Sequence, residues 1–593
     1  MGIRGLMGFI TKNNSNIVQE IDIRNEIAQW RSEHGKEPTI VIDVRYLNTV
    51  VRELDEESLI LGGRFQKYNE IVEYFLGELK KCGLNLKFFA RLAEGRFKHM
   101  EHFDSNINAF DCMKRYGNLR NFSNTNRSVR PNERFWYNLL RLCAKYGQVE
   151  AHFWRHWWHV KDYIKDHQRD VLAIMTSETR FLTLDLDFEY WSLTNVQLST
   201  LKIMKFCRKT LYDVLGLSPI QMQLLSTLSN LKNIDTPVQH FLNNLEGGAH
   251  SILRLSTYIK KQEIKTGGFD LKKIASDIYG DSLTTELLKN IEQNFKTNSD
   301  YNDLVAEVQH KYERHAVKLA NEDAEFETFF KFCSNEIFFA YKLMLEYSSI
   351  PKDLLYIDVR QSDTGPFIDL MVEVTLKLCG IAFKDIALDK RPKTRVIKIQ
   401  RVFNEEIAEI EEDIIYPALA LPTLNDLIIE EDNQQFAEPR WSLLQWLLDL
   451  DGKDITSIKK ACDSKYIRIV LITLKFLLSH AIISTHEADI LMLTESDGRS
   501  KNNVYVPKSF RPPPPMPNWR HPEYVAMSWV QTAHKYTIAF DLVRHCLELC
   551  GLRRETDSIQ FDAFEFHANM HQSENDNRQI QRMMTRMKNI RLW

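Results

Sequence analysis

The sequence predicts an α/β domain with a mostly parallel sheet, followed by a large, predominantly α-helical region. Three short apolar runs, rich in β-forming residues and bounded by polar ones, are typical of buried parallel strands. They are 39–43, 84–90 and 170–176. Helical patterns separate these runs, and such alternation favours a doubly wound sheet. Beyond about residue 192 the apolar residues follow helical spacing. We therefore expect three segments, 1–191, 192–350 and 351–593.

Helix-breaking residues delimit the first elements. We expect a short helix over 5–10 and an amphipathic helix over 17–31, before Pro38 ends the helical region and the first strand begins. Gly62 and Gly63 precede a helix whose apolar residues have helical spacing and would pack on a sheet. These residues are Phe65, Tyr68, Val72, Phe75 and Leu79.

The second half of the α/β domain repeats the alternation. The polar run 99–131 is expected to be a surface excursion because it is rich in Asn, Arg and Ser. A helix over 135–146, a strand over 148–153 and a helix ending near residue 166 then lead to the strand that ends at Thr176.

The remaining chain is expected to form helices. Four segments have helical apolar spacing: 197–215, 303–348, 442–450 and 465–481. A polyproline-type connector over 512–517 precedes a closing helix over 526–550, and the basic segment 579–591 is expected to be a mobile tail.

Composition limits the class of protein. The 593 residues are 44% hydrophobic, which is enough to bury a large core. Lys and Arg total 77 against 80 Asp and Glu, so no global basic field favours nucleic acid, although a local patch could. Nine scattered cysteines without a CxxC pair indicate reduced thiols in an intracellular protein, nuclear or cytoplasmic. No apolar run approaches the ~20 residues needed to cross a bilayer, so no membrane partner is expected.

The ligand crevice of a doubly wound sheet lies outside the carboxyl ends of its strands. Those ends carry Asp43, Arg91 and the segment 177–180. These residues are therefore the first candidates for a functional site.

The opening segment MGIRGLMGFI resembles the N-terminus of the flap endonuclease and XPG nuclease superfamily, and within it the sequence is most similar to the asteroid proteins. Other matching features are Ile42-Asp43, Gly62-Gly63, Cys82-Gly83, and Glu178-Thr-Arg-Phe181 where the family has Asp-Ser-Asp-Phe. The resemblance implies a PIN-like, flap-endonuclease-like sheet domain and continues more weakly through the rest of the chain.

The resemblance also implies hydrolysis of phosphodiesters at two Mg²⁺ ions about 4 Å apart, held by clustered carboxylates. Only part of that cluster matches. Asp43 and Glu178 stand at two acidic positions, whereas Arg91 and Arg180 replace acids at two others. The remaining acidic motifs fall on Trp158-His159-Val160, with no acid between residues 151 and 161, and on Asn230-Leu231.

The two arginines oppose a metal site. A guanidinium stays protonated and cannot ligate a metal. Two unit charges ~4 Å apart repel by about 4 kcal/mol at an effective dielectric constant of about 20, and a divalent ion doubles this. If Asp43 and Glu178 pair with Arg91 and Arg180, the crevice is a salt-bridged structural site, with no catalytic residue and no metal. Mg²⁺ or Mn²⁺ would bind only at a rearranged acidic site.

A rearranged site is one alternative. Asp185 and Asp187 alternate in the strand-like run 182–188, so both would point to one face and could join Glu178 and Asp43. The competing interpretation, a solvated edge strand with two surface acids, is favoured because a rebuilt site would still have to exclude two arginines.

A histidine cluster is another alternative. His152, His156 and His159 have helical i, i+4, i+7 spacing and could ligate zinc. However, a strand through Phe153 would take His152 off that face, and the intervening Trp residues favour core or interface packing over base stacking.

A basic run supplies a third candidate surface. It could bind a phosphate backbone or act as a nuclear localisation signal, or it could be a solvated hairpin or helix neutralised by the acidic run 405–413. Its residues are Lys390, Arg391, Lys393, Arg395, Lys398 and Arg401.

We therefore expect a catalytically degenerate, asteroid-like scaffold that binds nucleic acid or, through its helical region, protein partners. The alternative is a metal-dependent, structure-specific endonuclease acting on flap or single-stranded DNA.

Overall fold

In the computed structural model the chain forms a seven-stranded mixed sheet followed by a large helical region. The described residues are 6–12, 16–51, 62–91, 133–152, 156–229, 241, 244–245, 250–265, 268–280, 284–285, 288–289, 291–292, 295, 314–345, 348–349, 365–400, 407–418, 421–497 and 527–575. The expected surface excursion, polyproline connector and basic tail lie outside these residues, as does Asn230-Leu231.

The sheet has the strand order β1-β7-β6-β5-β2-β3-β4. Its strands are β1 (Val18–Asp22), β2 (Thr39–Asp43), β3 (Asn85–Arg91), β4 (Gln148–His152), β5 (Val171–Thr176), β6 (Glu189–Gln197) and β7 (Lys202–Phe206). The five strands from β6 to β4 are parallel to their neighbours, and β7 and β1 add two antiparallel pairings at one edge. The α/β class and the mostly parallel sheet predicted from the sequence are confirmed.

Helices alternate with the parallel strands as expected. They are α1 (Leu6–Lys12), α2 (Ile23–His34), α3 (Val44–Leu47), α4 (Phe65–Lys81), α5 (Glu133–Tyr146) and α6 (His156–Asp166). The five apolar residues at helical spacing in α4 are all buried. α2 ends at Gly35, whose φ of 66° lies in the left-handed region that glycine adopts without steric cost.

The two antiparallel strands, β1 and β7, occupy stretches that were expected to be helical. The expectation of a helix over 17–31 is wrong at its start, where β1 precedes α2, and the expectation over 197–215 is wrong up to residue 206. Ile21 of β1 pairs with Ile203 of β7, and local spacing cannot reveal a partner so distant in the chain. Residue 191 lies inside β6, so the sheet continues past the segment boundary expected there.

The two faces of the sheet belong to separate hydrophobic cores. Ile40, Ile42 and Phe88 lie in a core that includes the buried faces of α4 and α5 and continues into the C-terminal helices. Val41 and Phe89 lie in a second core with α1, α6 and the helices that follow the sheet. The alternation of residues between the two cores is the period of two expected for a strand covered on both sides.

The chain after β7 is mainly helical, in agreement with the sequence-based expectation. Its helices are α7 (Arg208–Leu215), α8 (Pro219–Ser229), α9 (Ser251–Lys260), α10 (Leu271–Tyr279), α11 (Arg314–Glu322), α12 (Ala324–Glu336), α13 (Phe338–Met344), α14 (Gly365–Ala382), α15 (Ala437–Leu448), α16 (Gly452–Ala461), α17 (Lys465–Ser479), α18 (Thr485–Asp497), α19 (Met527–Leu549) and α20 (Ala563–Asn575). Short strands also occur: β8 (Ile264–Lys265), β9 (Gly268–Phe269), β10 (Ser348–Ser349), β11 (Thr394–Gln400) and β12 (Ile407–Asp413).

The helix expected over 303–348 is wrong as a single element. In its described part it is divided into α11, α12 and α13. Asp323 begins α12, because its carboxylate accepts hydrogen bonds from the backbone N–H groups of Glu325 and Phe326, both at 3.0 Å. The closing helix expected over 526–550 is confirmed by α19.

The C-terminal helices pack directly on the sheet domain. The backbone N–H of Phe65 donates to the carbonyl of Phe561 at 2.8 Å, and the N–H of Ala563 donates to the carbonyl of Gly63 at 2.9 Å. The Asn69 side chain donates to the carbonyl of Ile559 at 2.7 Å. The chain therefore returns to the start of α4 after almost 500 residues.

Within the described residues, no helix has both the length and the apolar character needed to span a membrane.

Candidate functional site

The carboxyl ends of β2 and β5 meet as the parallel topology predicts. Asp43, the last residue of β2, is fully buried. One of its carboxylate oxygens accepts a hydrogen bond from the Thr176 hydroxyl at 3.0 Å, and the other accepts from the backbone N–H of Arg45 at 3.2 Å. The Thr176 hydroxyl in turn accepts from the backbone N–H of Glu178 at 3.0 Å. Hydrogen bonds thus connect the two strand ends.

Glu178 is the second acid of this crevice, and it is only 3% exposed. Arg180, which follows in a 3-10 turn (Thr179–Thr183), places its Nε 3.8 Å from Glu178 Oε1. Tyr46 of α3 donates its hydroxyl to Glu178 Oε2 at 3.2 Å. The pairing expected between Glu178 and Arg180 is therefore present.

The electrostatics of Glu178 favour its ionised form. Burial by itself would raise the pKa of the carboxyl, but nearby positive charges, of which Arg180 has the largest effect, hold the pKa at about 2. Burial and the adjacent Glu178 carboxylate raise the pKa of Tyr46. Glu178 is therefore an anion at neutral pH, balanced by neighbouring positive charges.

Arg91, the other residue predicted to be a charge reversal, lies at the neighbouring strand end. Arg91 is the last residue of β3 and pairs in register with His152 of β4, one strand further from Asp43. Its side chain is outside the described part of the structure. The predicted vestigial acids Asp43 and Glu178 and the predicted charge reversal at Arg180 therefore meet in one crevice, and the backbone of Arg91 lies at the same edge.

This crevice does not fit a pair of Mg²⁺ ions. Such ions need several carboxylate oxygens that remain open to water and substrate. Asp43 is fully buried with both oxygens hydrogen-bonded, and Glu178 lies beside a guanidinium. The arrangement stabilises the junction of β2, β5 and α3.

The relocated acidic site built on Asp185 and Asp187 does not form in the described structure. The run 182–188 is wrong as a strand, because it leaves the 3-10 turn and then follows an irregular path. Both aspartates are exposed, which agrees with the interpretation as surface acids. Arg208 determines this path by donating to the carbonyls of Leu184 at 2.6 Å, Phe188 at 2.7 Å and, by a shorter contact, Leu186.

A second group of polar side chains lies at the end of β4. Glu150 Oε1 is 2.8 Å from His152 Nε2, and the His152 and His159 rings stack with centroids 3.5 Å apart. The strand expected through this region is confirmed and takes His152 off the helical face, but His159 nevertheless stacks on His152. α6 folds back over the sheet and brings its first turn onto the strand end. The side chain of His156 lies outside the described residues.

The sequence-based candidates did not include Glu150, which directly precedes the stretch 151–161 that contains no acidic residue. The signal was available in the sequence: residues two apart in a strand point to one face, so Glu150 and His152 had to share a side of β4. The contact with His159 could not be found in this way because it depends on the direction of α6.

Two cations of the basic run are engaged within the chain. The described part of the run lies in and before the hairpin of β11 and β12, which confirms the hairpin, and Arg401 lies outside the described residues. Lys390 pairs with Glu322 at 2.9 Å, and Arg395 is buried and donates to the carbonyl of Leu343 at 2.7 Å.

No family model matches the chain. Among curated proteins, the chain is 27% identical over 256 residues to the Mus musculus protein named constitutive coactivator of peroxisome proliferator-activated receptor gamma, covering 41% of this chain and 30% of that protein. The Bos taurus protein of the same name is 24% identical over 240 residues, 38% of this chain and 33% of that protein. The Homo sapiens protein is 25% identical over 243 residues, 38% of this chain and 25% of that protein. The chain therefore spans about a third or less of the length of these relatives.

Proposed function

We propose that this protein is a non-catalytic, asteroid-like member of the flap endonuclease superfamily that acts as a scaffold for protein partners. The observation that carries the proposal is the buried Glu178, held between Arg180 and Tyr46 beside a fully buried Asp43. In the described part of the crevice these groups satisfy one another and leave no carboxylate cluster for a pair of metal ions.

The class of partner is inferred from the relatives. Proteins similar to this chain are named as coactivators of a nuclear receptor, and a coactivator acts by binding other proteins. The net charge of -3 also favours protein over nucleic acid, because nucleic-acid binding depends strongly on Lys and Arg, and within the basic run Lys390 is paired with Glu322 and Arg395 is buried. We therefore assign this chain a transcription-regulatory protein as its partner class.

A cleavage assay separates the scaffold from a nuclease. Wild type and Asp43→Ala are incubated with single-stranded and flap DNA and RNA in Mg²⁺ or Mn²⁺. We expect no cutting by either protein above a buffer control. Metal-dependent cutting by the wild type that disappears in Asp43→Ala would overturn the proposal and favour a structure-specific endonuclease.

A binding assay tests the partner class with the same preparations. We expect saturable binding to purified peroxisome proliferator-activated receptor gamma, and weak binding to single-stranded DNA and RNA. The opposite result would be no binding to the receptor, together with nucleic-acid binding that is tight at low salt and weakens steeply as salt is added. It would show that the partner is a nucleic acid bound through its phosphate backbone.

A further inference from the structure

The end of β4 and the first turn of α6 form a cluster of three side chains that the proposed function does not use. We call Glu150, His152 and His159 the β4–α6 cluster. One potential ligand atom from each of the three lies within 4.8 Å of the others, and all three side chains are half-buried. Strand β4 places Glu150 and His152 on one face of the sheet. Helix α6 packs so that the His159 ring stacks on the His152 ring.

The Glu150 carboxylate of this cluster is held by an ion pair with Lys87. Lys87 of β3 is 5% exposed and places its ammonium 2.8 Å from Glu150 Oε2, while Oε1 faces His152. The Lys87 ammonium also lies over the rings of Phe89 and Tyr163 at 5.4 and 5.2 Å from their centroids. A hydrogen bond to the outer oxygen of a ligating carboxylate is a usual way to orient it.

We propose that the β4–α6 cluster binds a zinc-class divalent cation through Glu150, His152 and His159. Two imidazoles and one carboxylate are a donor set for Zn²⁺ and its neighbours Co²⁺ and Ni²⁺, whereas Mg²⁺ prefers oxygen ligands. Three protein ligands leave a fourth position for water. The inference goes beyond the proposed function, because it involves neither Asp43 nor Glu178.

Binding requires a small rearrangement. The His152 and His159 rings are parallel, with 2° between their planes, and stack face to face. Their nitrogen lone pairs lie in the ring planes and therefore do not point toward a common ion. Ligands on a tetrahedral zinc ion lie about 3.3 Å apart, so His159 must turn about its Cβ–Cγ bond and move toward Glu150. The positive charge of Lys87 opposes the ion, and we therefore expect weaker binding than at a site with the same ligands and no adjacent cation.

The bound ion would join two elements. It would link the start of α6 to the end of β4, which is one of the two edge strands of the sheet. The expected consequence is a higher melting temperature of the full chain in the presence of zinc, since a ligand that binds the folded state stabilises it.

Titration of the full chain with Co²⁺ tests the site, because this ion replaces zinc and absorbs visible light according to its ligands. We expect a saturable visible band at one Co²⁺ per chain in the wild type, displaced by Zn²⁺ and unaffected by excess Mg²⁺. His159→Ala and Glu150→Gln should weaken binding at least tenfold, and the double variant His152→Ala/His159→Ala should abolish the band. His167→Ala is the matched control, since His167 is an exposed residue directly after the same helix.

Circular dichroism in EDTA establishes that each variant is folded, and zinc should raise the melting temperature of the wild type and His167→Ala but not of the double variant. The proposal is overturned if the wild type gives no cobalt band, if the double variant keeps the band, or if Mg²⁺ displaces Co²⁺. A retained band would belong to other ligands, such as the exposed thiol of Cys207.

Discussion

Single arginines that donate to several carbonyls determine much of the local structure. Arg208 donates to three carbonyls of the chain after the 3-10 turn, and its guanidinium lies 4.0 Å from the centroid of the Phe188 ring. Arg440, which is 3% exposed, donates to five carbonyls between residues 426 and 433. A guanidinium can satisfy several acceptors at once because its five N–H groups spread in a plane, and lysine lacks this geometry.

Replacing Arg208 with lysine tests this role. The shorter, single ammonium group could reach one of the three carbonyls, so we expect Arg208→Lys to lower the free energy of unfolding by about 2 to 3 kcal/mol, measured by urea denaturation. Lys209→Ala, at the exposed neighbouring position, is the control and should change it by less than about 0.5 kcal/mol. Equal stability of Arg208→Lys and the wild type would show that these hydrogen bonds do not hold the loop.

The residues of the crevice were predictable only in part. Asp43 and Glu178 follow apolar runs, and parallel strand ends meet at one edge, so their proximity follows from the pattern. The path of residues 182–188 was not predictable, because it depends on a guanidinium about 20 residues away in the chain. Likewise, His159 reaches His152 only through the packing of a helix on a strand.

At the scale of secondary-structure elements, a buried charge cluster joins α5 of the sheet domain to α19 of the C-terminal region. Arg141 of α5 places its Nη2 2.6 Å from Glu548 Oε1 and its Nη1 3.7 Å from Asp541 Oδ1. Arg544 contacts Asp541, and His545 lies 3.4 Å from Glu548 and 3.5 Å from Asp541. The positive and negative charges of these groups compensate one another. Removing one group leaves a buried charge without an opposite charge beside it, which destabilises the fold.

The pH dependence of unfolding measures this contact. Burial would raise the pKa of Glu548, but Arg141 and His545 lower it from 4.5 to about 2. A lowered pKa in the folded state stabilises the protein above the unfolded-state value, and the contribution is lost as pH falls toward 2. We expect Glu548 to contribute up to about 3 kcal/mol at neutral pH.

The Glu548→Gln variant isolates this effect. Its free energy of unfolding should lie below that of the wild type at pH 7, and the difference should shrink between about pH 5 and pH 2. Glu438→Gln, at an exposed residue of α15, should follow the wild type throughout. A difference that stays constant with pH would exclude the coupling of this carboxyl to folding.

The parallel strands were predictable, and the two antiparallel strands were not. β2, β3, β4 and β5 were placed correctly, as was α19. β1 is an edge strand and β7 lies between it and β6; both carry polar residues on one side, and their spacing resembles that of an amphipathic helix. Their strand conformation is due to pairing with each other and with β6, which local sequence does not encode.

At the scale of the whole molecule, one hydrophobic core runs from a face of the sheet to the C-terminal helices. It includes Phe88 of β3, Phe75 of α4 and Phe540 of α19. The pairing of Arg64 with Asp562 at 2.9 Å closes the same junction. The sheet and the helical region therefore share one core, and under the proposed function the crevice acids act within this framework as stabilising groups.

This role predicts the sign of a stability change. In a metal site, acids repel one another when the metal is removed, so neutralising one of them stabilises the metal-free protein. In the crevice described here, Glu178 is attracted to Arg180 and receives a hydrogen bond from Tyr46. Removing its charge should therefore destabilise the protein.

The most direct test is the free energy of unfolding of Glu178→Gln in EDTA at neutral pH, with Glu263→Gln as an exposed control. We predict a decrease of about 2 to 4 kcal/mol for Glu178→Gln and no measurable change for the control. An increase in stability for Glu178→Gln would contradict the account and indicate that the crevice is a metal site in its ion-free state.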